Sequence, residues 1–306
     1  MKARCAQSLD FQIEMVRILE KKVWLLAIAL GAAGSLAAQI QPGAAQSPPH
    51  LPRAPFNEPI KGTALSIDLV PIASATETAP IWMSRTEIPW EVLDVCIYGF
   101  DKQDGKGDPA AADAVTRPTK PYIATDRGFG HAGWPANSVS FQNAKSFCNW
   151  LSAKTGKMYR LPTHAEWMLA CEKSKVDAGA LERFAWFDEN SDGTTHKVGS
   201  KRADAQGVHD LFGNLAEWCT MPDGAGAVVG GSYREARDEI TCARLEHDTP
   251  NWNLTDPQLP RSIWWLADAG WIGFRVVCEG ATPPTSPTPP TSPTPPSPPI
   301  PPKASP

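Results

Sequence analysis

Several patterns that would assign a function directly are missing from this sequence of 306 residues. It contains no block of Lys and Arg, and 29 basic against 33 acidic residues give a formal net charge of −4, which argues against a nucleic-acid partner. No Cys-x-x-Cys pair points to a zinc ribbon or a thioredoxin-like motif. No Gly-x-Ser-x-Gly segment indicates a serine hydrolase, and the six histidines lack metal-ligand spacing. The 12 Trp and 23 Gly that are present favour an aromatic-rich domain with many loops.

The first 38 residues have the pattern of a targeting segment. Lys21 and Lys22 precede an uncharged run from Val23 to Ala38 that ends in small residues. Because this run is short for a membrane span, we interpret residues 1–38 as a signal peptide, with a retained anchor as the alternative. The segment therefore predicts an exported protein, in the periplasm, at the cell surface or outside the cell.

Two proline-rich segments flank a single domain. Residues 39–58 contain five prolines and are predicted to be a linker, and residues 281–306 contain 13 prolines in 26 positions. We expect that second segment to be a disordered, extended polyproline tail, either as a passive spacer or as an envelope attachment or glycosylated stalk. Residues 59–280 remain as one domain, with enough chain for a sizeable core.

Apolar periodicity places helices in the first half of this domain. The segment Trp82–Trp90 is predicted to open a helix whose apolar face begins at Trp90. The run Val139–Gly156 is the clearest helix, because Ser140 can cap its first turn and Gly156 can end it.

A further helix is predicted after Pro162, where Thr163 and Glu166 have the spacing of a capping box. Lys61–Ile72 alternates like a strand, and only short strand-like segments follow Phe184. This order of elements predicts an α+β fold with two main helices, short strands and long loops.

Three further features have alternative interpretations. The tryptophans Trp264, Trp265 and Trp271 are expected to pack in the core, with a stacking platform for a sugar or peptide as the alternative. Asp188–Gly193 begins like an EF-hand loop, but Gly199 stands at its twelfth position, so an Asx-rich turn is favoured over a weak calcium site. A polar cluster after Arg244 could line a pocket or form a solvated loop; its members are Glu246, His247, Asp248, Asn251 and Asn253.

Four blocks occur in a characteristic order: Arg160–Trp167, Gly207–Cys219, Gly230–Tyr233 and Gly273–Arg275. Together they resemble the formylglycine-generating enzyme (sulfatase-modifying factor) family. The resemblance implies a C-type-lectin-like fold and, for active members, a copper-dependent oxidase that converts a sulfatase cysteine to formylglycine.

The resemblance also implies a structural calcium site. Matched residue by residue, its ligands are the side chains of Asp210 and Glu217 and the backbone carbonyls of Gly213 and Leu215. Carboxylate and carbonyl oxygens converging from one loop suit this cation. The alternative is a turn in which the two carboxylates accept backbone amides.

The same matching places Glu235 and Ile240 where active family members carry the two cysteines that bind copper(I). A carboxylate and an isoleucine cannot form a linear two-thiolate centre. Copper and a catalytic residue are therefore not expected here, and a non-enzymatic role is favoured.

Six cysteines follow the targeting segment, and their spacing alone allows 15 disulfide connectivities. The family resemblance implies pairs Cys148–Cys278 and Cys171–Cys242. Cys96 and Cys219 would then be left, either paired with each other or free.

These observations predict an exported, calcium-stabilised module that binds a glycan, a peptide or a protein, without oxidase activity and without a nucleic-acid partner. The alternative is a sulfatase-maturation oxidase with an altered active centre. The thiol content around Glu235 and Ile240 distinguishes the two hypotheses.

Overall fold

The protein is described from a computed structural model, which covers residues 54–72, 81–101, 118, 120, 121 and 124–279. The predicted signal peptide, most of the predicted linker and the proline-rich tail lie outside the described residues. No helix within the described ranges is long and apolar enough to cross a membrane.

The described residues form two sheets. Their strands are β1 (Phe56–Pro59), β2 (Ser66–Ile72), β3 (Ile81–Ser84), β4 (Met158–Arg160), β5 (Ala216–Thr220), β6 (Gly226–Val229), β7 (Leu245–His247), β8 (Ile272–Gly273) and β9 (Val277–Glu279). The first sheet has the order β1-β2-β3-β9-β4 and is antiparallel throughout. The second has the order β7-β6-β5-β8, with β5 and β8 parallel.

Four α-helices connect these strands within the described ranges: α1 (Trp90–Tyr98), α2 (Phe141–Thr155), α3 (His164–Ser174) and the single turn α4 (Asp188–Ser191). Three 3₁₀ helices cover Ala178–Arg183, Arg237–Glu239 and Pro250–Asn253. The α+β class is confirmed, although three helices, rather than two, exceed two turns.

The predicted helix termini are accurate where a capping side chain exists. The Ser140 hydroxyl accepts the amide of Asn143 at 3.1 Å, and Gly156 ends α2 with φ 71°. Both hydrogen bonds of the capping box form between Thr163 and Glu166 at the start of α3.

The prediction that Trp82–Trp90 opens a helix is wrong for its first residues. Ile81–Ser84 is strand β3, and its four residues are buried between β2 and β9. Pairing on both edges satisfies the backbone of this apolar run, so the helix begins only at Trp90, directly after Pro89.

Two other segments also differ in detail from expectation. The sheet begins at Phe56, three residues inside the predicted linker, because β1 pairs with β2 and Phe56 packs edge-on against Trp82. The Asp188–Gly193 segment, predicted as a turn, forms α4 and then leaves it through left-handed residues Asp192 and Gly193.

The core has two parts. One part is formed by residues of α1, α2 and both sheets, and it contains Trp264 and Trp265, which are buried as expected. The other part is formed by residues of α3 and both sheets, and it contains Phe212 and Ile240.

One predicted disulfide is confirmed and the other is not made. Cys171 in α3 is bonded to Cys242, with the two Cα atoms 5.8 Å apart. Cys148 and Cys278 remain separate buried thiols. Their neighbours differ, because the Cys148 thiol interacts with Cys96, whereas the Cys278 thiol interacts with Tyr159 and contacts the Glu279 carbonyl at 3.6 Å. Burial raises the pKa of the Cys278 thiol to about 11, which disfavours the thiolate that disulfide exchange requires.

Candidate functional site

A buried ion pair connects the two sheets. The Arg275 side chain is 0% exposed, and its Nε donates to Glu217 Oε2 at 2.6 Å while Nη2 donates to Glu217 Oε1. The same guanidinium donates to the carbonyls of Ser84 at 3.1 Å, His209 at 2.9 Å and Asp210 at 3.1 Å. The parallel pairing of β5 with β8 brings Glu217 opposite Gly273, which explains why the last sequence block reaches this carboxylate.

Two more buried carboxylates, those of Glu87 and Asp210, lie near this ion pair. Glu87 accepts hydrogen bonds from Asn214 Nδ2 at 2.8 Å and from the Leu215 amide at 2.9 Å. Burial raises the pKa of Glu87 well above its ordinary range, and the charges of Asp210 and Glu217 raise it further. Burial likewise raises the pKa of Asp210 to about 6. Three buried carboxylates therefore share one guanidinium.

The loop between Asp210 and Glu217 has an unusual backbone. Asp210, Gly213 and Asn214 all have positive φ angles, of 51°, 70° and 55°. A Cβ atom at Gly213 would overlap the backbone oxygen of Trp186, so only glycine fits there. The Asn214 side chain accepts the His196 amide at 2.9 Å, which holds the loop against the preceding segment around His196.

The two positions singled out after the Gly-Gly-Ser block are both buried. Glu235 is 5% exposed, and its Oε2 accepts the Ser232 amide at 2.7 Å and the Ser232 hydroxyl at 2.6 Å. Its Oε1 accepts Arg234 Nε at 2.7 Å. Ile240 is also 5% exposed, and its Cδ1 lies 2.5 Å from where a Cβ atom on Gly231 would be.

A sequence model of the sulfatase-modifying factor enzyme 1-like domain matches residues 62–279. The chain belongs to this family. The matched range contains strand β2, the four described helices and every residue of the site described above.

Individual relatives are distant. The chain is 18% identical to Treponema denticola variable protein 1, with a TM-score of 0.51 and coverage of 73% of this chain and 98% of that one. It is 23% identical to PvdO from Pseudomonas aeruginosa, with a TM-score of 0.46 and coverage of 75% and 92%. A serine/threonine-protein kinase Pkn1 from Chlamydia trachomatis is 26% identical over 40% of this chain. The aligned part spans only 23% of that kinase.

The two side chains predicted as calcium ligands, Asp210 and Glu217, are only partly available to a cation. Asp210 Oδ2 accepts the Gly199 amide at 2.6 Å, whereas its buried Oδ1 has no hydrogen-bond partner. Glu217 already accepts hydrogen bonds from Arg275 and, at 3.1 Å, from Trp167 Nε1. Within the described ranges no group of three or more His, Cys, Asp or Glu side chains is arranged to hold a metal ion. The unpartnered Asp210 oxygen fits a cation, and one lone pair on Glu217 Oε1 remains for it.

The two positions predicted to match the family's copper-binding cysteines, Glu235 and Ile240, hold no sulfur. Glu235 is committed to Ser232 and Arg234, and the nearest cysteine in sequence, Cys242, is bonded to Cys171. Cys219 belongs to the same core cluster as Ile240, but burial raises the pKa of its thiol to about 12. A single thiol cannot by itself form a linear two-thiolate copper(I) centre.

An ion-pair network covers Glu235 on its solvent side. Arg244 lies 2.7 Å from Glu246, 3.2 Å from Glu239 and 3.5 Å from Glu235. The Arg234 guanidinium lies 3.2 Å from the centre of the Trp271 ring. Sequence reasoning missed this network; its signal was the dense alternation of Arg and Glu from Arg234 to Glu246.

The predicted polar cluster after Arg244 is divided by the structure. Glu246 belongs to the ion-pair network. Asn253 is buried and structural, because its amide donates to Asp256 and to the Ser262 carbonyl, and its oxygen accepts the Ala267 amide. The cluster therefore does not line one pocket.

A cavity of about 600 Å³ lies beside the Cys171–Cys242 disulfide. Its apolar walls are formed by Val176, Leu181, Phe212 and Ile240, and its charged rim by Glu172, Lys175, Glu189, Arg237 and Asp238. Ile240, predicted to match one of the family's copper-binding cysteines, thus forms part of the wall of an open cavity.

Proposed function

We propose that this chain is a non-oxidase member of its family, a module that binds a glycan, peptide or protein ligand. The observation that supports this is the replacement of the copper-binding thiols by Glu235 and Ile240, together with the contacts of these residues. Glu235 neutralises neighbouring arginines and accepts the Ser232 amide, which is a structural role. Ile240 packs in the second core.

An oxidase assay tests this proposal. The purified chain is incubated with copper(I), oxygen and a synthetic peptide containing Cys-x-Pro-x-Arg, beside an active member of the family as positive control. Mass spectrometry then measures conversion of the cysteine to the aldehyde. We expect no conversion above that with copper alone; enzyme-dependent aldehyde formation would establish the alternative, an oxidase with an altered centre.

We also propose that calcium stabilises the loop that carries the buried carboxylates. The Asp210 and Glu217 side chains and the carbonyls of Gly213 and Leu215 would hold the ion, and the unpartnered Asp210 Oδ1 supports this. A ligand that binds only the folded state raises the unfolding temperature. Calcium should therefore raise Tm relative to a chelator, whereas Asp210→Asn should respond less; an equal Tm with and without calcium would contradict the proposal.

We propose in addition that the chain is exported. The disulfide Cys171–Cys242 supports it, because disulfides persist mainly in oxidising compartments. Expression of the full chain in a secreting bacterial host should yield a mature protein whose N-terminus lies close to Gln39. Recovery of the chain in a membrane fraction with residues 1–38 still attached would instead support a membrane anchor.

A further inference from the structure

We propose that the cavity beside the Cys171–Cys242 disulfide holds a segment of the chain's own proline-rich tail, Ile300–Lys303. The inference goes beyond the proposed function, because it names an occupant that an external ligand would have to displace. It rests on the walls and rim of the cavity and on the sequence of the tail.

The cavity has an apolar interior. Leu181, Phe212 and Ile240 are each at most 6% exposed and belong to the second core, and the half-buried Val176 packs against the same core. Together with the disulfide they form a surface that an aliphatic side chain can fill. A cavity of about 600 Å³ is within the range of pockets that bind ligands.

The rim of the cavity has an uncompensated negative charge. The Arg237 guanidinium donates to the carbonyls of Ala178 at 2.9 Å and Gly179 at 3.3 Å, while Glu189 accepts the Arg237 amide. The side chains of Glu172, Asp238 and Lys175 make no hydrogen bond or ion pair with the described residues. Two unpaired carboxylates against one unpaired ammonium favour a cationic group in the ligand.

The tail contains one side chain of each required kind. Within residues 281–306, Ile300 is the single large aliphatic residue and Lys303 the single charged one. A polyproline II helix has three residues per turn, so side chains three positions apart lie on the same face. In that conformation Ile300 can enter the cavity while the Lys303 ammonium meets Glu172 and Asp238 at the rim.

The tail is long enough to reach the cavity. The first sheet ends at Glu279, and the residues from there to Ile300 span about 60 Å in polyproline conformation. A compact domain of this size has a radius of gyration of about 17 Å. Any part of its surface is therefore within reach, and tethering gives the tail a high local concentration.

Carbodiimide crosslinking of the full chain tests this proposal, because the reagent joins a carboxylate to an amine only where the two are in contact. Mass spectrometry should find Lys303 joined within one chain to Glu172 or Asp238. Ile300→Ser should lower the yield of these crosslinks roughly tenfold or more, because it removes the apolar anchor without adding a carboxylate. Glu172→Gln should remove one crosslink, whereas Glu182→Gln, which changes an exposed carboxylate outside the cavity, should leave the pattern unchanged.

Other results would overturn the proposal. Lys303 joined to carboxylates across the surface, a pattern insensitive to Ile300→Ser, or no crosslink from Lys303 would each exclude a docked tail. Crosslinked dimers in place of monomers would show that the segment occupies a second copy. The oxidase assay on the same preparation reports separately on the proposed function, so either idea can fail without the other.

Discussion

Single residues explain why this chain keeps the fold of its family. Glu217 and Arg275 are 58 positions apart in the sequence and form one buried ion pair between the two sheets. The pair is embedded among Glu87 and Asp210, so the guanidinium balances more than one carboxylate. The two residues that stand out in the sequence blocks, Glu217 and Arg275, are therefore also the residues that form this buried contact.

Replacing Arg275 tests this role. Arg275→Met should lower the free energy of unfolding by about 3–5 kcal/mol, because it leaves the buried Glu217 carboxylate without its partner. Urea unfolding measures the change, with Arg261→Met as a matched control in an exposed arginine. A loss no larger than that of the control would show that the carboxylates are neutralised by other means.

Residue-level prediction succeeded where a local contact fixes a role. Ser140, Thr163 and Glu166 were identified because a cap depends on neighbours three positions away. The Cys148–Cys278 pairing, which the family resemblance implied, was wrong, because neither a resemblance nor sequence spacing reports the direction of a side chain, and here the two thiols have different neighbours. Glu87, which bonds Leu215 across 128 positions, was missed for the same reason.

At the scale of elements, α3 is fixed at both ends, by an ion pair with Arg160 in its first turn and by the Cys171–Cys242 disulfide near its last. Its first turn is fixed by Glu166, whose carboxylate accepts two hydrogen bonds of 2.7 Å from Arg160 and one of 2.8 Å from the Thr163 amide. Its last part carries Cys171, which is bonded to the segment after the 3₁₀ helix Arg237–Glu239. The helix therefore orients one wall of the cavity.

The ionisation of Glu166 should be visible in the pH dependence of stability. Burial alone would raise its pKa, but the bonds from Arg160 and Thr163 outweigh burial and lower the pKa below the usual 4.5. The carboxylate therefore stabilises the fold above about pH 4.5 and loses this contribution as pH falls through the lowered value.

Unfolding free energies at about pH 7 and about pH 3 should show this effect. Glu166→Gln should be less stable than the natural chain at the higher pH, and the difference should shrink at the lower pH. Glu182→Gln, which changes an exposed carboxylate outside the cavity, is the control. A pH-independent difference would contradict the assignment.

Elements were easier to predict than their connections. Periodicity and caps located α2 and α3, whereas β3 was taken for the start of a helix because a short apolar run has no distinctive period. The strand is defined by its partners β2 and β9, and the latter lies almost 200 positions further along the chain. Long-range pairing of this kind is not encoded in any local window.

At the scale of the whole molecule, one covalent bond closes a long loop. Cys171 and Cys242 are 71 positions apart, and the segment between them contains α4, β5, β6 and the Gly-Gly-Ser block. Removing the bond by Cys171→Ser with Cys242→Ser should lower the free energy of unfolding by about 4 kcal/mol. Cys219→Ser, a single buried thiol, is the comparison.

Denaturant unfolding and peptide mapping of the unreduced chain check this expectation together. The map should contain the Cys171–Cys242 peptide pair and unlinked peptides with Cys148 and Cys278. A Cys148–Cys278 linkage, or a double variant as stable as the natural chain, would contradict the account of the covalent framework.

The central claim is that sulfur is absent where family oxidases hold copper, and copper(I) affinity measures this most directly. The non-reduced chain is titrated against a chromogenic copper(I) chelator, beside the variant Glu235→Cys with Ile240→Cys. The natural chain should leave the chelator's copper in place, whereas the variant should withdraw about one equivalent, because two thiolates suit this soft ion. Stoichiometric withdrawal of copper by the natural chain, with Cys171–Cys242 intact, would contradict the claim.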